Sequence, residues 1–479
     1  MEKVKVLELN NFDLLGSRFN GYDLISNCPK VDINMLVNYC NDAESLAQTF
    51  LRPNRYVKYD HIINLAEKNI LGAKNQTSIN EFLLTKNRQY KTADILHFHM
   101  YHNMNLPIEF LLRIPKSKKI IIDIHDTYWL TSDTITMLEV FNFTNTNQAA
   151  FNAQRQRVLS SIDAEFVVHS PYILKLFQSS PITKNLKKPH LINFGIDTNF
   201  FKPLKNQAEI RQKLKIPQDN LVLFCRSQKE FKGIDYIIGA LKEIKKPKIT
   251  IVTVGKPHLL DALKKQHQVI DAKLIDDDSK ILELYNVCDI FLSPSTEESF
   301  GFMPAEAMAC EKPVIIFGGT ALPYTTNAPK IGFLAPKTTE GFKDAILYLA
   351  NNQAERLRRG KQGRVYVQRK YSLSKYYRDY ENLFVKLGQS GSKRNVVHLQ
   401  GSNCPTGINE LNERLKIIGK AAKDDRVIKK KTAKYPIINY NDIKVQKEIF
   451  KFNKSLYRSL MIIENKKRVI NAIKNLLNI

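Results

Sequence analysis

Two carboxylates and two cations carry the chemistry that this sequence can do. Between Ser293 and Ile315 a strand ends and a polar loop with Glu298 and Gly301 follows; a helix is expected from near Pro304, with Glu306 in its first turn. Proline suits a first helical turn because its missing N–H would have no helical partner there anyway. The N–H groups of Gly301, Phe302 and Met303 then point forward and, with the helix dipole, suit an anion. Two carboxylates beside such a cradle repel a phosphate, but they accept hydrogen bonds well from the sugar hydroxyls flanking it. Upstream, Arg226 leaves the end of an apolar run and Lys232 follows six residues later, just before another helix. An Arg fork with a Lys point charge suits a diphosphate. Either residue alone reads more readily as a solvated surface charge, and the two together at strand-end positions read as the clamp.

Something must bring these groups together. Short apolar runs alternate with helical patterns through most of the chain, at 4–9, 95–99, 119–123, 165–169 and 190–193, then at 220–225, 248–254, 273–275, 290–293 and 313–316. Runs of this kind imply parallel α/β sheets covered on both faces. The expected organisation is two doubly wound domains, 1–203 and 204–388, facing a cleft, then a linker at 389–403 and a basic helical tail at 404–479. Ligands in such sheets bind beyond the carboxyl ends of the strands. No G-x-G-x-x-G follows the first strand and no P-loop is present, which removes the ordinary dinucleotide and P-loop readings.

The 298–314 pattern resembles the signature of retaining glycosyltransferases of family 4, group 1 glycosyl transferases of the GT-B superfamily. Arg226 and Lys232 match that family's Arg and Lys. Asn193 to Pro203 is similar to its interdomain run, with Phe194 as a departure, and 331–334 to its Asn-Gly-Leu-Leu type turn. The resemblance implies a GT-B fold and transfer of a sugar, with retention, from a nucleotide diphosphate sugar to a glycan or lipid-linked acceptor in bacterial surface polysaccharide synthesis. It assigns Glu306 to the ribose, Glu298 to the donor sugar, and Arg226 with Lys232 to the departing diphosphate. Gly318, Gly319 and Thr320 fall in the loop flanking the donor sugar, which also reads as an ordinary turn. His125, ending the run 120–124, falls where the family has a histidine near the anomeric carbon. An epimerase or phosphorylase on the same fold, or a non-catalytic membrane- or assembly-binding protein, are the alternatives.

No metal is expected. His97 and His99 have no carboxylate at ligand spacing beside them, and Asp276 to Asp278 read as the cap of a following helix rather than a metal motif. Six scattered cysteines without a C-x-x-C pair read as buried hydrophobes in a reducing compartment.

Of 479 residues, 73 are Lys or Arg and 47 Asp or Glu, a formal +26, and 43% are hydrophobic, which excludes a mainly disordered chain. The last 76 residues, 404–479, carry a net +11 and an apolar stripe from Ile449 to Leu477 at helical spacing. That helix packs on the body or a second subunit, or lies on an anionic membrane surface. Nucleic acid is disfavoured, because the chain has neither zinc-finger spacing nor an aromatic run beside its basic residues. With no membrane-length apolar run and no signal-peptide pattern, the expected location is cytoplasmic, with a peripheral site at the inner face of the cell membrane. Oligomeric state, donor and acceptor are not legible.

Overall fold

The computed structural model describes residues 2–12, 20–39, 46–49, 81, 84–85, 87–104, 106–130, 148–228, 230–272 and 278–389. The tail at 404–479 and the rest of the expected linker beyond Gln389 lie outside these, as does the strand expected at 273–275. Two compact units emerge, one drawn from Met1–Ile120 with chain from Phe384 onward, the other from Ile121–Leu383.

In the first unit the strands are β1 (Lys5–Phe12), β2 (Asp32–Tyr39), β3 (Gln48–Thr49) and β4 (Ile95–Phe98), in the order β3-β2-β1-β4, all parallel. Neither β2 nor β3 is expected from the sequence. In β2, Asp32, Asn34 and Asn38 interrupt the apolar residues that mark a strand. The order reverses between β1 and β4, the switch point at which doubly wound sheets open a crevice.

Glu8 on β1 pairs in register with His97 on β4. Its Oε2 lies 2.8 Å from His97 Nδ1 and 2.7 Å from His99 Nε2, and all three side chains are wholly buried. Gly21, at φ +87°, brings its backbone so close that a Cβ there would sit 2.5 Å from His99 Nε2. Burial raises the Glu8 pKa, but the His97 and His99 charges and hydrogen bonds outweigh it and hold the carboxyl below its usual value. Stability from this group is therefore present above about pH 4.5, the value for an unfolded chain, and is lost as pH falls through the lower folded value. Glu8→Gln is expected to cost about 3 kcal/mol at neutral pH, as for a broken buried pair. It should also flatten the drop in melting temperature as pH falls below about 4.5. Equal slopes in scanning calorimetry of the two proteins would contradict this.

The second unit opens with β5 (Lys119–Ile124), most of which belongs to it, and the parallel pair β6 (Ala164–Val168) and β7 (His190–Leu191). Its complete sheet consists of β8 (Leu221–Ser227), β9 (Ile249–Gly255), β10 (Gln268–Asp271), β11 (Ile290–Ser293), β12 (Val314–Phe317) and β13 (Phe333–Ala335). The strand order is β10-β9-β8-β11-β12-β13, wholly parallel, with its switch point between β8 and β11.

The longer helices of this unit are α1 (Gln148–Ser160), α2 (Pro171–Ser179), α3 (Gln207–Lys213), α4 (Ile234–Glu243), α5 (Asp278–Val287), α6 (Phe302–Ala309), α7 (Thr339–Asn351), α8 (Gln353–Lys370) and α9 (Leu373–Gln389), whose last turns belong to the first unit. One face of β8, with Leu221, Leu223 and Cys225, packs against Ile237 and Leu241 of α4 and Phe342 and Ile346 of α7. On the other face Phe224 meets Tyr285 of α5 and Phe291 of β11. Covering on both faces is why these strands read as continuous apolar runs.

Helix α5 begins at Asp278, which is thus its first residue and not the residue before it, and the cap position lies outside the described residues. Helix α9 runs through Gln389, so the first residue of the expected linker is helical. Cys28, Cys225, Cys288 and Cys310 are buried free thiols, and burial pushes Cys225 and Cys288 up to about 12. No helix among the described residues is long and apolar enough to cross a membrane.

Candidate active site

The residues that the sequence assigns to the site all lie in the second unit, in the loops after strand ends or on the helix that follows one. Arg226 is the exposed position near the end of β8, and Lys232 closes the short 3-10 turn Glu230–Lys232. Gly233 follows at φ +69°, and a Cβ there would lie 2.0 Å from the Pro294 carbonyl oxygen, so only glycine lets this loop press on the loop after β11. Thr296 N–H donates to Phe231 O at 2.8 Å, lacing the same two loops. The result is a direct ion pair: Lys232 Nζ lies 2.6 Å from Glu298 Oε2, with the side chains 16% and 18% exposed.

Helix α6 starts at Phe302, two residues earlier than expected, with Gly301 as its left-handed cap. Pro304 is therefore its third residue and Glu306 lies in the second turn, a correction to the expected first turn. Gly301 can adopt the conformation that a residue with a Cβ resists, so the helix begins before the proline. The cradle is unchanged, since the N–H groups of the first helical turn have no intrahelical acceptor. The loop after β12 joins it. Thr320 is buried, Gly319 is exposed at φ +83°, and Ala321 N–H donates to Glu298 O at 2.9 Å.

Glu306 points inward, 2% exposed, and accepts at Oε2 from Tyr285 Oη at 2.8 Å. Tyr285 is itself fully buried among Phe201, Phe224 and Phe291. This support escapes sequence reasoning, because Tyr285 reads only as an apolar position of α5.

His125 follows β5 directly and is 9% exposed. Its Nε2 lies 3.6 Å from Asp123 Oδ2, which also accepts from Tyr380 Oη at 2.7 Å and faces His169 Nε2 at 3.5 Å. His169 Nδ1 meets Ile192 O at 2.8 Å, so that nitrogen carries the proton. The His169 and Phe194 rings stack at 3.8 Å, and Phe194 touches Phe302 at 5.0 Å and Phe300 at 5.3 Å. A continuous aromatic stack therefore links His125 to the start of α6. One signal in the sequence points to it: Asp123 inside an otherwise apolar strand.

Lys232, Glu298, Gly301 to Met303, Thr320 and Glu306 thus share one set of loops, at the carboxyl ends of β8, β11 and β12. Arg226 stands at the same edge of the sheet, its side chain without a hydrogen bond or ion pair among the described residues. Among metal-capable side chains, Glu8, His97 and His99 form a buried group in the first unit. The carboxylate next to the two histidines comes from another strand, which corrects the expectation drawn from local spacing.

An α/β protein with two parallel sheets, one bearing an anion cradle flanked by a buried and a half-buried carboxylate, is the class that fold and site define. Residues 206–366 match the family described as Glycosyl transferases group 1. The D-inositol 3-phosphate glycosyltransferase of Xylanimonas cellulosilytica is 30% identical over 146 residues, 27% of this chain and 35% of that protein. The chain spans between a third and a half of the length of such curated relatives. Sucrose-phosphate synthase from Thermosynechococcus elongatus matches 80% of this chain and 99% of its own, with TM-score 0.60 and 18% identity. Anabaena Alr3699/HepE in complex with UDP and glucose matches the same shares, with TM-score 0.59 and 14% identity. The fold is GT-B, with two Rossmann-like α/β parts.

Proposed function

We propose that the protein transfers a sugar, with retention at the anomeric carbon, from a nucleotide diphosphate sugar to a glycan or lipid-linked acceptor. The observation that carries this is the joining of Lys232, Glu298, the start of α6 and Glu306 on laced loops at the carboxyl edge of one parallel sheet. The group 1 glycosyltransferase match supports the reaction class. In this reading Arg226, Lys232 and the N-terminus of α6 hold the diphosphate and stabilise its charge as it leaves. Glu298 accepts from hydroxyls of the donor sugar, Gly318 to Thr320 flank that sugar, and Glu306 accepts from the ribose. His125 stands near the anomeric carbon, oriented by Asp123. Two cations and a helix N-terminus supply the positive charge, so no metal is required. A role in surface polysaccharide synthesis, and a cytoplasmic location at the inner face of the membrane, complete the proposal.

The test is an assay against a panel of UDP-, GDP- and ADP-sugars with and without EDTA, reading the anomeric configuration of the product by NMR. Transfer with retention in EDTA is expected. No transfer from any donor overturns the reading, and an inverted product overturns retention.

Tyr285→Phe tests the ribose role of Glu306. A hydrogen bond to a charged group contributes about 1.5 to 3 kcal/mol. Losing it lets the Glu306 carboxylate turn, and the dissociation constant for the cognate nucleoside diphosphate should rise about tenfold by titration calorimetry. Unchanged affinity removes Glu306 from the nucleotide site.

A further inference from the structure

Helix α8 is strongly basic, and its cations divide into two sets. Arg356 donates to the carbonyls of Leu349 and Ala350, Arg358 and Arg359 pair with Glu355, and Arg364 donates to the carbonyls of Thr198, Phe201 and Ala309. These four are consumed by the fold. The side chains of Lys361, Arg369 and Lys370 are exposed and have no hydrogen bond or ion pair among the described residues.

All three unpaired cations line one groove of about 660 Å³, together with Ile331, Val365 and Tyr366. Val365 is 55% exposed, and Leu357, two turns before it on the same helical face, is 57% exposed. Leu357, Lys361, Val365 and Arg369 recur every four residues, so aliphatic and cationic side chains alternate along one ridge.

We infer that this ridge and groove form a docking surface for an anionic lipid bilayer. Charge complementarity selects a polyanionic partner, since no acidic residue lines the groove and three cations there lack partners. The exposed aliphatics select a partner with an apolar layer beneath its charges, which a free phosphate or nucleotide lacks. From Lys361 to Arg369 the ridge extends about 12 Å along the helix, enough to meet several head groups at once. Basic residues near an anionic leaflet bind through its surface potential, while Val365 and Leu357 enter the head-group boundary. The inference does not depend on sugar transfer.

The experiment uses the full chain with Cys40→Ser and Cys404→Ser, leaving four buried cysteines. Val365→Cys is labelled with an environment-sensitive dye, and Asp219→Cys, an exposed position, serves as control. Vesicles of phosphatidylcholine with phosphatidylglycerol should blue-shift and brighten the dye at 365 and not at 219; pure phosphatidylcholine should do neither. Lys361→Glu, Arg369→Glu and Lys370→Glu together should lower partitioning by about a hundredfold, from about fivefold for each basic residue near the surface. These side chains are exposed, so the melting temperature should hold. A silent dye at 365 while the chain still sediments with anionic vesicles, or a response indifferent to the three charge reversals, overturns the inference.

Discussion

Lys232→Ala should lower kcat/KM for sugar transfer by about 10² to 10³, the loss typical of removing one preorganised group that stabilises developing charge. The expectation rests on where the fold spends its constraints. Gly233, with no room for a Cβ against Pro294, and the Thr296 to Phe231 hydrogen bond hold the lysine loop against the loop carrying Glu298. Lys232 therefore holds its charge against Glu298, in the loop that leads into α6, before any ligand arrives. Stability should change little. The Lys232–Glu298 pair is partly exposed, and pairs of that kind contribute about 1 kcal/mol or less. Loss of transfer with an unmoved melting temperature separates a role in the site from a role in the fold. Lys232→Arg keeps the charge while moving its donors, and should recover part of the rate. Wild-type turnover in Lys232→Ala would remove Lys232, and with it the diphosphate clamp, from the mechanism.

Residues whose roles are local are legible in the sequence. Glu298, Gly301 and Glu306 lie within one strand–loop–helix unit, so spacing alone places them on one strand end and its helix. Arg226 and Lys232 are legible for the same reason, each being tied to the end of β8. What spacing does not carry is pairing between segments far apart in sequence. Tyr285 meets Glu306 from another helix, Asp123 meets Tyr380 across 257 positions, and Glu8 meets His97 and His99 only through the β1–β4 register. Strand β2 is missed because its polar positions break the apolar run, and the start of α6 is misplaced because Pro304 looks like a first helical residue while Gly301 sets the boundary.

Glu298→Gln should separate binding from chemistry in opposite directions. In the ligand-free protein each of the two charges is held by the other at 2.6 Å, so Glu298 competes with a diphosphate for Lys232. Neutralising the carboxylate frees the lysine. Given about 1 kcal/mol for such a pair, affinity for the cognate nucleoside diphosphate should rise about fivefold. Transfer should nonetheless fall by about a hundredfold or more, because an amide oxygen accepts sugar hydroxyls more weakly than a carboxylate and no longer balances charge developing on the donor ring. Titration calorimetry and initial rates on the same preparation read both effects. Tighter product binding with a collapsed kcat is the expected signature, and weakened product binding would mean that Glu298 supports the diphosphate site instead of competing with it. Unchanged kcat would remove Glu298 from the donor sugar altogether, leaving its pair with Lys232 as a structural contact between two loops.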